Sequence, residues 1–351
     1  MTGSPEARGV DVVLPGDIDD PVSPSGGNHY DRRVLDGLAA LGWRVREHAL
    51  AGAWPHPDAA ARAALARLLA ALPDRAPVLL DGLVASSVPA ELAAQARRLR
   101  LVVLVHLPLE TDAERAALAA ATAVVGTSGW TRQRLREVYA LPADRLHVAA
   151  PGVGPAPVAA VTPTGGNLLC VAAVTPGKGH DVLVDALAAV ADRPWRCVCV
   201  GPLDRDPEFA DRVRHRVARH GLTDRVRLAG PRTGAALDTA YAEADLLVLA
   251  SRGETYGMVV TEALARATPV LTTTAGGLPE TLGRAPDGTR PGLLVPPGDP
   301  DALAGALRRW LDDAALRDRL RRAASDRRTA LEDWTGTTAT VARVLEGAST
   351  T

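Results

Sequence analysis

Short apolar runs alternate along the whole chain with longer segments in which apolar residues recur every three or four positions. The runs predict β-strands, and the periodic segments predict amphipathic α-helices. In the first half the predicted strands are 10–14, 44–49, 78–81, 101–106 and 123–127. The predicted helices there are 28–41, 59–72, 90–98, 113–121 and 131–139. Strands separated by helices form right-handed βαβ units, so this half predicts a parallel sheet.

The same pattern resumes after residues 151–166, a segment rich in proline and glycine that has almost no periodicity and predicts a linker. Beyond it the predicted strands are 168–174, 196–200, 226–228, 246–249, 269–272 and 292–295. The predicted helices are 179–190, 208–220, 233–242, one that follows Gly257, and 300–311. We therefore expect an N-terminal domain over 1–158 and a C-terminal domain over 165–332.

The tail from 314 to 345 has helical periodicity with a break near Trp334 and Gly336. Such a break lets a last helix, about 333–351, cross back onto the first domain. With 351 residues the chain is too long for one typical core and suits two α/β domains of about 150 to 200 residues. We expect two parallel-sheet domains that face a central cleft.

Composition and charge argue against nucleic-acid-binding and membrane-spanning proteins. Apolar residues make up 47% of the chain and charged residues 23%, which is typical of a soluble globular protein. The 40 basic and 41 acidic residues leave a net charge of −1, so no overall field attracts nucleic acid or anionic lipid. The longest apolar run, 99–109, is much shorter than a membrane span of about 20 residues. We expect a cytoplasmic protein without nucleic-acid or integral membrane contacts.

The three cysteines lie in apolar, strand-like runs. Cys170, Cys197 and Cys199 have no histidine or cysteine cluster at the spacing of metal ligands. The sequence therefore predicts core cysteines and no metal site.

Two candidate sites follow predicted strands of the first half, where loops of a parallel sheet meet helix N-termini and bind ligands. Gly26 and Gly27 precede the first helix, and residues without Cβ let backbone N–H groups approach an anion closely. A tight turn is the alternative interpretation, since no GxGxxG or GxxxxGK[ST] motif occurs. His106 ends a strand that Pro108 stops, which presents the imidazole at the strand's carboxyl end. A purely structural histidine is the alternative there.

A lysine opens the first predicted helix of the second half. The segment Thr175-Pro-Gly-Lys178-Gly179 follows strand 168–174. Lysine at this point places a compact positive charge beside the N–H groups of the first helical turn, an arrangement that suits a diphosphate. A surface lysine beside a helix is the alternative.

The segment Glu254-Thr-Tyr-Gly-Met-Val-Val-Thr-Glu262 sets two carboxylates around a glycine turn and a new helix. A carboxylate can accept hydrogen bonds from vicinal sugar hydroxyls, each worth about 1.5 to 3 kcal/mol. The alternative is that an acidic residue early in a helix is favoured by the helix dipole alone. The glycine-rich loop 274–280 follows strand 269–272 and is expected to line the same cleft.

In order and spacing, these motifs resemble the retaining nucleotide-sugar glycosyltransferases of family four, which have the GT-B fold. The match extends from Gly26 to Pro296-Pro-Gly-Asp299 and is strongest in the second half. The resemblance implies two Rossmann-like domains, with a nucleoside-diphosphate sugar as co-substrate, held mainly by the second domain, and no other cofactor. It implies catalytic roles for Lys178 at the diphosphate, Glu254 at the transferred sugar and His106 near that sugar. It also implies donor contacts from Gly26, Gly27, Thr175, Arg232, Tyr256, Gly257, Met258, Val259 and, at the ribose, Glu262.

One position departs from the family pattern. The family often has an arginine five residues before the lysine, and here that position is Ala173. Thr175, Arg252 or an arginine of the first domain are the candidates to replace that second cation.

The resemblance implies transfer with retained configuration, in which the departing diphosphate takes the proton of an acceptor hydroxyl that attacks from the same face. Lys178 and helix N-termini would stabilise the leaving diphosphate. Since no Asp-x-Asp cluster occurs in a plausible metal-binding context, the sequence predicts metal-independent transfer.

Two other classes stay open: a non-catalytic nucleotide-sugar-binding protein, prompted by Ala173, and a GT-B sugar-nucleotide epimerase. The acceptor is expected to be a small polar molecule or a glycan. The loops expected to bind it, all at strand carboxyl ends of the first domain, are 27–33, 81–86, 106–110 and 128–130. The donor base and sugar also stay open.

Overall fold

The structure, a computed structural model, describes residues 8–20 and 24–350; residues 1–7, 21–23 and 351, which include the first residues of the predicted N-terminal domain and the end of the predicted last helix, lie outside the described part. The chain divides into two compact units. In the described part the first unit contains residues 8–20, 25–152 and 332–350, and the second contains Pro24 and residues 153–331.

The first unit is built on a six-stranded parallel sheet. Its strands are β1 (Gly9–Pro15), β2 (Arg44–Leu50), β3 (Pro77–Asp81), β4 (Arg100–Val105), β5 (Ala123–Gly126) and β6 (Leu146–Val148). They lie in the order β2-β1-β3-β4-β5-β6. Its helices are α1 (Gly26–Ala40), α2 (Ala59–Ala71), α3 (Gly82–Ala85), α4 (Pro89–Gln95), α5 (Asp112–Ala120), α6 (Gly129–Tyr139) and the last helix of the chain, α14 (Trp334–Thr350).

The second unit has a six-stranded parallel sheet of its own. Its strands are β7 (Asn167–Val171), β8 (Arg196–Val200), β9 (Val226–Leu228), β10 (Leu246–Leu249), β11 (Val270–Thr273) and β12 (Gly292–Val295), in the order β12-β11-β10-β7-β8-β9. Its helices are α7 (His180–Ala188), α8 (Pro207–Arg219), α9 (Gly234–Ala242), α10 (Met258–Ala265), α11 (Leu278–Leu282), α12 (Pro300–Asp312) and α13 (Ala314–Arg328). Across the described residues of both units, no helix combines the length and the apolar character needed to cross a lipid bilayer.

Each sheet is covered by apolar side chains on both faces, because successive residues of a strand point to opposite faces. In β7, Leu168 and Cys170 pack into one apolar cluster, whereas Leu169 packs into the cluster on the other face. Most of the strands, with the exception of β2, are therefore short apolar runs in the sequence, which is why the sequence pattern predicted them well.

Short polar side chains begin most of the longer helices. Each of these side chains accepts a hydrogen bond from a backbone N–H group of the first helical turn, which otherwise has no partner in the helix. The residues concerned are Ser25, Asp58, Thr111, Ser128, Asp206, Asp299 and Asp313.

The proline-rich segment belongs to the second unit, so the two units divide at residues 152 and 153 rather than between 158 and 165. The backbone N–H groups of Ala159 and Ala160 donate to carbonyl groups of the second unit at 2.9 and 3.0 Å. Thr162 donates through its backbone N–H and its hydroxyl to the buried carboxylate of Asp245, both at 2.6 Å. These bonds fix a segment whose composition alone indicated a linker.

The last helix packs within the first unit. Val341 of α14 joins the apolar cluster that contains Val34 of α1. A Cβ on Gly37 would lie 2.2 Å from the Thr338 hydroxyl oxygen, so α1 and α14 approach each other at a point where only glycine fits. The break between α13 and α14 lies immediately before Trp334.

The three cysteines are buried free thiols of β7 and β8. Folding also brings His180 to them: its Nε2 lies 3.7 Å from Cys170 Sγ, and the ligand atoms of Cys170, Cys199 and His180 lie within 4.8 Å of one another. A hydrogen bond with Cys199 and burial raise the pKa of the Cys170 thiol well above its usual value. The thiols lie in the apolar core, although spacing along the sequence gave no sign of the neighbouring histidine.

Candidate functional site

The candidate residues of the second unit meet at the carboxyl edge of its sheet. Lys178 follows β7 and Glu254 follows β10, and these two strands pair side by side. Lys178 Nζ lies 2.5 Å from Glu254 Oε1, to which the Ser251 hydroxyl donates at 3.1 Å. Only 11% of the Glu254 side chain is exposed, so the lysine neutralises a carboxylate that solvent barely reaches.

Lys178 is the only lysine of the whole sequence, since the other 39 of the 40 basic residues are arginines. Arginine presents a planar fork of donors, whereas lysine presents a compact charge. The sequence thus contains a lysine only at the position where the motif predicted a compact cation.

A glycine brings the lysine turn against the end of the neighbouring strand. Residues Pro176–Lys178 form a short 3-10 turn, and Gly179 follows with φ of +68°. A Cβ at Gly179 would lie 2.1 Å from the carbonyl oxygen of Ala250, just beyond β10. Only glycine permits both the positive φ and this close approach.

The Glu254 loop is held by the predicted glycine-rich loop. The backbone N–H of Gly277 donates to the Glu254 carbonyl oxygen at 2.8 Å. A Cβ at Gly276, where φ is +55°, would lie 1.9 Å from the same oxygen. The loop 274–280 therefore supports the glutamate loop through backbone contacts, and from Leu278 onward it is helical (α11), which its glycines did not predict.

The helices that follow β7 and β10 begin without a side-chain cap. Gly179 and Gly257, both with positive φ, occupy the cap positions of α7 and α10 and therefore supply no capping side chain. Aspartates cap α8 and α12, which follow other strands of the same sheet. The N–H groups of Met258 and Val259 thus begin a helix at an edge suited to an anion.

Glu262 is positioned by a residue that sequence reasoning missed. The hydroxyl of buried Tyr241 donates to Glu262 Oε2 at 2.6 Å. Burial and then the charge of Glu262 raise the pKa of Tyr241, which keeps this hydroxyl protonated. Glu262 lies beyond the first turn of α10, so the helix dipole does not explain its presence.

Arg252, one candidate to replace the cation expected at Ala173, is already engaged. Its guanidinium forks onto Asp181 at 2.9 and 2.8 Å and donates to the Pro176 carbonyl oxygen at 2.6 Å. The hydrogen bond with Asp181 raises the pKa of Arg252. Arg252 therefore braces the turn that carries Lys178.

The remaining predicted donor residues lie at the same edge of the second sheet. Thr175 starts the lysine turn, and Tyr256 lies in the loop between Glu254 and Gly257. Arg232 follows β9, the edge strand, and β8 separates it from β7. Arg232 forms no ion pair with the residues that the structure describes. The roles of all three stay predictions.

In the first unit, His106 follows β4 and meets two buried carboxylates. Its Nε2 lies 2.8 Å from Asp31 Oδ1, on α1, and 3.6 Å from Asp81 Oδ2, at the end of β3. Sequence reasoning included Asp31 and Asp81 only within broad acceptor loops. One feature of the sequence could have indicated Asp31: it lies on the same apolar face of the predicted helix as Val34 and Leu35, where a carboxylate is unusual.

Charge and burial shift the pKa values of both His106 and Asp81. Burial would lower the pKa of His106, but the charge and hydrogen bond of Asp31 and the charge of Asp81 raise it to about 9. Burial and the charge of Asp31 raise the pKa of Asp81 to about 7, against the opposing effect of His106. The two carboxylates thus favour the protonated form of the imidazole.

The glycine pair of the first unit lies inside α1 rather than before it, as the helix begins at Gly26 and not near residue 28. Ser25 caps the helix and accepts the N–H of Asn28 at 3.0 Å. A Cβ on Gly27 would lie 3.3 Å from His106 Cδ2. The observed role of Gly27 is thus close packing of α1 against the imidazole.

Comparison with known proteins connects these features to a family. The family described as Glycosyl transferases group 1 matches residues 165–313, which contain Lys178, Glu254 and Glu262. The D-inositol 3-phosphate glycosyltransferase of Jonesia denitrificans is 31% identical over 229 residues, covering 59% of this chain and 53% of that protein. The mannosylfructose-phosphate synthase of Agrobacterium fabrum is 28% identical over 242 residues, covering 64% and 52%. The chain thus spans about half the length of these curated relatives.

A solved structure extends the likeness to nearly the whole chain. Sucrose-phosphate synthase from Thermosynechococcus elongatus superposes with a TM-score of 0.79 at 23% identity, covering 97% of this chain and 98% of that one. This likeness, with the two six-stranded parallel sheets, confirms the predicted GT-B fold of two Rossmann-like domains. The match to the Glycosyl transferases group 1 family, residues 165–313, lies within the second unit, where the motifs are strongest.

Proposed function

We propose that the chain is a retaining glycosyltransferase that moves a sugar from a nucleoside-diphosphate sugar to a hydroxyl group of an acceptor. The observation that carries this proposal is the position of the sole lysine. Lys178 lies 2.5 Å from Glu254, beside the N-termini of α7 and α10, whose cap positions are glycines. One edge of the sheet thus offers positive charge to a diphosphate and a carboxylate to sugar hydroxyls.

Glu254 and Glu262 bind different parts of the donor in this proposal. Glu254, adjacent to Lys178, accepts hydrogen bonds from hydroxyl groups of the transferred sugar. Glu262 already accepts the Tyr241 hydroxyl through Oε2, and its Oε1 accepts a ribose hydroxyl. Thr175, Arg232 and Tyr256, with the backbone of Gly257, Met258 and Val259, complete the donor site as the motif implies.

The transfer exchanges one bond for another at the anomeric carbon. The bond from that carbon to the diphosphate oxygen breaks while a bond to the acceptor oxygen forms on the same face. The acceptor hydroxyl proton passes to the leaving diphosphate. Lys178 and the first-turn N–H groups stabilise the charge that develops on that group, so we propose that the reaction proceeds without a metal ion.

We propose a small polar acceptor that carries a phosphate. Support comes from the names of the curated relatives, which contain inositol 3-phosphate and mannosylfructose-phosphate. The first unit presents its predicted acceptor loops at the carboxyl edge of its sheet, where His106 also lies.

Ala173 favours one alternative, a protein that binds nucleotide sugars without transferring them. Without a second arginine at this position, the diphosphate receives less positive charge, and leaving-group stabilisation suffers more than binding does. Such a protein would bind a donor and form no product, whereas an epimerase would release free nucleotide or an epimerised sugar.

A donor screen followed by a product assay tests the proposal. UDP-, GDP-, ADP- and TDP-sugars are compared by thermal shift, since a ligand that binds only the folded state raises the unfolding temperature. The stabilising donor is then incubated with inositol 3-phosphate or fructose phosphates, with and without EDTA. We expect a glycoside of retained configuration, formed equally in EDTA. Stabilisation by no nucleotide sugar, an inverted product, or activity that only magnesium restores would each contradict part of the proposal.

A further inference from the structure

Three ionisable side chains of the first unit form a buried group, Asp31, Asp81 and His106, which we name the imidazole cluster. Asp31 and Asp81 are 0% and 3% exposed, and 16% of the His106 side chain is exposed. Burying a charge is costly unless an opposite charge compensates it. The imidazole can supply the opposite charge that these two buried carboxylates need.

Each carboxylate contributes a different contact. Asp31 Oδ1 lies 2.8 Å from His106 Nε2, while Asp31 Oδ2 is buried and has no hydrogen-bond partner in the described part of the chain. Asp81 Oδ1 accepts the N–H of Leu83 at 2.7 Å and so caps α3, which directs its Oδ2 to His106 at 3.6 Å. The ring nitrogen Nε2 is thus occupied from two elements, α1 and β3.

The remaining faces of the imidazole are packed. Gly27 lies against its Cγ and Cδ2 atoms, where a Cβ would approach to 3.5 and 3.3 Å. Tyr30 meets the ring edge-on, with centroids 5.1 Å apart, and the Tyr30 hydroxyl is fixed by the Ala149 carbonyl oxygen at 2.9 Å. Among the described residues nothing hydrogen-bonds to Nδ1, which makes it the ring nitrogen available to a ligand.

We propose that Asp31 and Asp81 are positioning residues that hold His106 as an imidazolium, with its Nδ1–H directed to an oxygen atom of a substrate. His106 then serves as a hydrogen-bond donor and not as a general base. The identity of the substrate oxygen, from a sugar hydroxyl or a phosphate, rests on the proposed function. The protonation state of His106 in the imidazole cluster does not.

The titration of the cluster supports this geometry and fixes the direction of its pH dependence. The titratable groups around the imidazole in the described residues are Asp31 and Tyr30 from α1 and Asp81 from β3, and burial raises the pKa of Tyr30 beyond any working pH. The pKa of His106 rises from 6.5 to about 9. The folded state therefore holds the proton more tightly, and this stabilisation is complete below pH 6.5 and is lost as pH rises through about 9.

An NMR titration of the unliganded protein, labelled with ¹³C at the histidine rings, tests the proposal. The chain has eight histidines, and the signal that disappears in His106→Gln identifies the one of interest. We expect a titration midpoint of about 9 in the wild type. Asp31→Asn keeps the size and an acceptor oxygen but removes the charge, and should lower the midpoint by at least about one pH unit. Asp81→Asn should lower it less, because its oxygen is more distant.

Asp11→Asn is the matched control. Asp11 lies on β1 in the sheet of the first unit and is as buried as Asp31. Its Oδ1 lies 2.9 Å from Nε2 of another histidine, His48. Its substitution should therefore leave the titration midpoint of His106 unchanged. A wild-type midpoint near 6.5, or one that Asp31→Asn does not move, would overturn the proposal.

A second measurement decides the matter if Asp31→Asn does not fold. The unfolding temperature of the wild type should fall more steeply than that of His106→Gln between pH 6.5 and 9. Equal slopes would contradict the proposal. Neither measurement uses a substrate, so a protein that passes both and transfers no sugar refutes the proposed function alone.

Discussion

At the scale of single residues, Glu262 serves the fold and a ligand through different atoms. Its Oε2 accepts the hydroxyl of Tyr241, a side chain buried between α9 and the sheet. Its Oε1 forms no hydrogen bond with the described residues. Replacement by alanine would leave a buried hydroxyl without a partner, at a cost of about 1 to 3 kcal/mol, so that variant would mix stability with binding.

Glu262→Gln separates the two effects. The amide oxygen can still accept the Tyr241 hydroxyl, whereas the charged acceptor for the ribose is lost. Because a charged hydrogen bond is worth about 1 kcal/mol or more beyond a neutral one, donor affinity should fall roughly tenfold. Calorimetric titration with the donor identified by the screen measures this. Glu243→Gln, at an exposed position after α9, should leave affinity unchanged, and equal affinity in both variants would remove Glu262 from the donor site.

Sequence motifs predicted Lys178, Glu254 and Glu262 as site residues because their spacing around strand ends is local. The partners of these residues were not predictable in the same way. Tyr241 reaches Glu262 only when α9 packs beside α10, and Asp31 reaches His106 only when α1 packs on β4. The contact of Arg252 with Asp181 was likewise not predictable, since it forms only when the loop after β10 meets α7.

At the scale of elements, the turn between β7 and α7 depends on one glycine and not on its neighbour. Gly179 has a positive φ and faces the Ala250 carbonyl oxygen at a distance no Cβ tolerates. Gly177, two residues earlier in the same turn, has open space where a Cβ would lie. The two glycines of Pro-Gly-Lys-Gly therefore offer a matched pair of substitutions.

Gly179→Ala should destabilise the protein by at least about 1 to 3 kcal/mol, because it combines an unfavourable φ with a backbone clash. It should also weaken donor binding, since the turn carries Lys178. Gly177→Ala should change the free energy of unfolding by no more than about 0.5 kcal/mol. Urea denaturation measures both, and equal stability of the two variants would mean that the close approach at Gly179 does not constrain the turn.

Element prediction succeeded where a run was long enough to show its period. The predicted strands and helices are present with ends shifted by up to three residues. The short elements β6, α3 and α11, of three to five residues, were missed. In α11, glycine and proline at its start also indicated a loop.

At the scale of the whole molecule, sequence order and spatial order differ in two places. The proline-rich segment after residue 152 joins the second unit through Thr162 and Asp245, and α14 returns to the first unit. Composition indicated the segment but not its partner, because a buried aspartate far along the chain fixes it. The break before Trp334 did indicate a returning helix, since a helix that ends and restarts can change direction.

The composition of the whole chain supplies the most direct test of the central claim, that Lys178 binds the diphosphate of a nucleotide sugar. With one lysine in 351 residues, an amine-reactive acylating reagent modifies a single side chain besides the terminal amino group. Mass spectrometry of the two peptides reports both rates, and the terminal amine serves as an internal control. We predict that a saturating donor slows acylation of Lys178 severalfold and leaves the terminal amine unaffected, whereas the corresponding nucleoside, which lacks the diphosphate, protects neither. An unchanged rate at Lys178 with the donor bound would contradict the account.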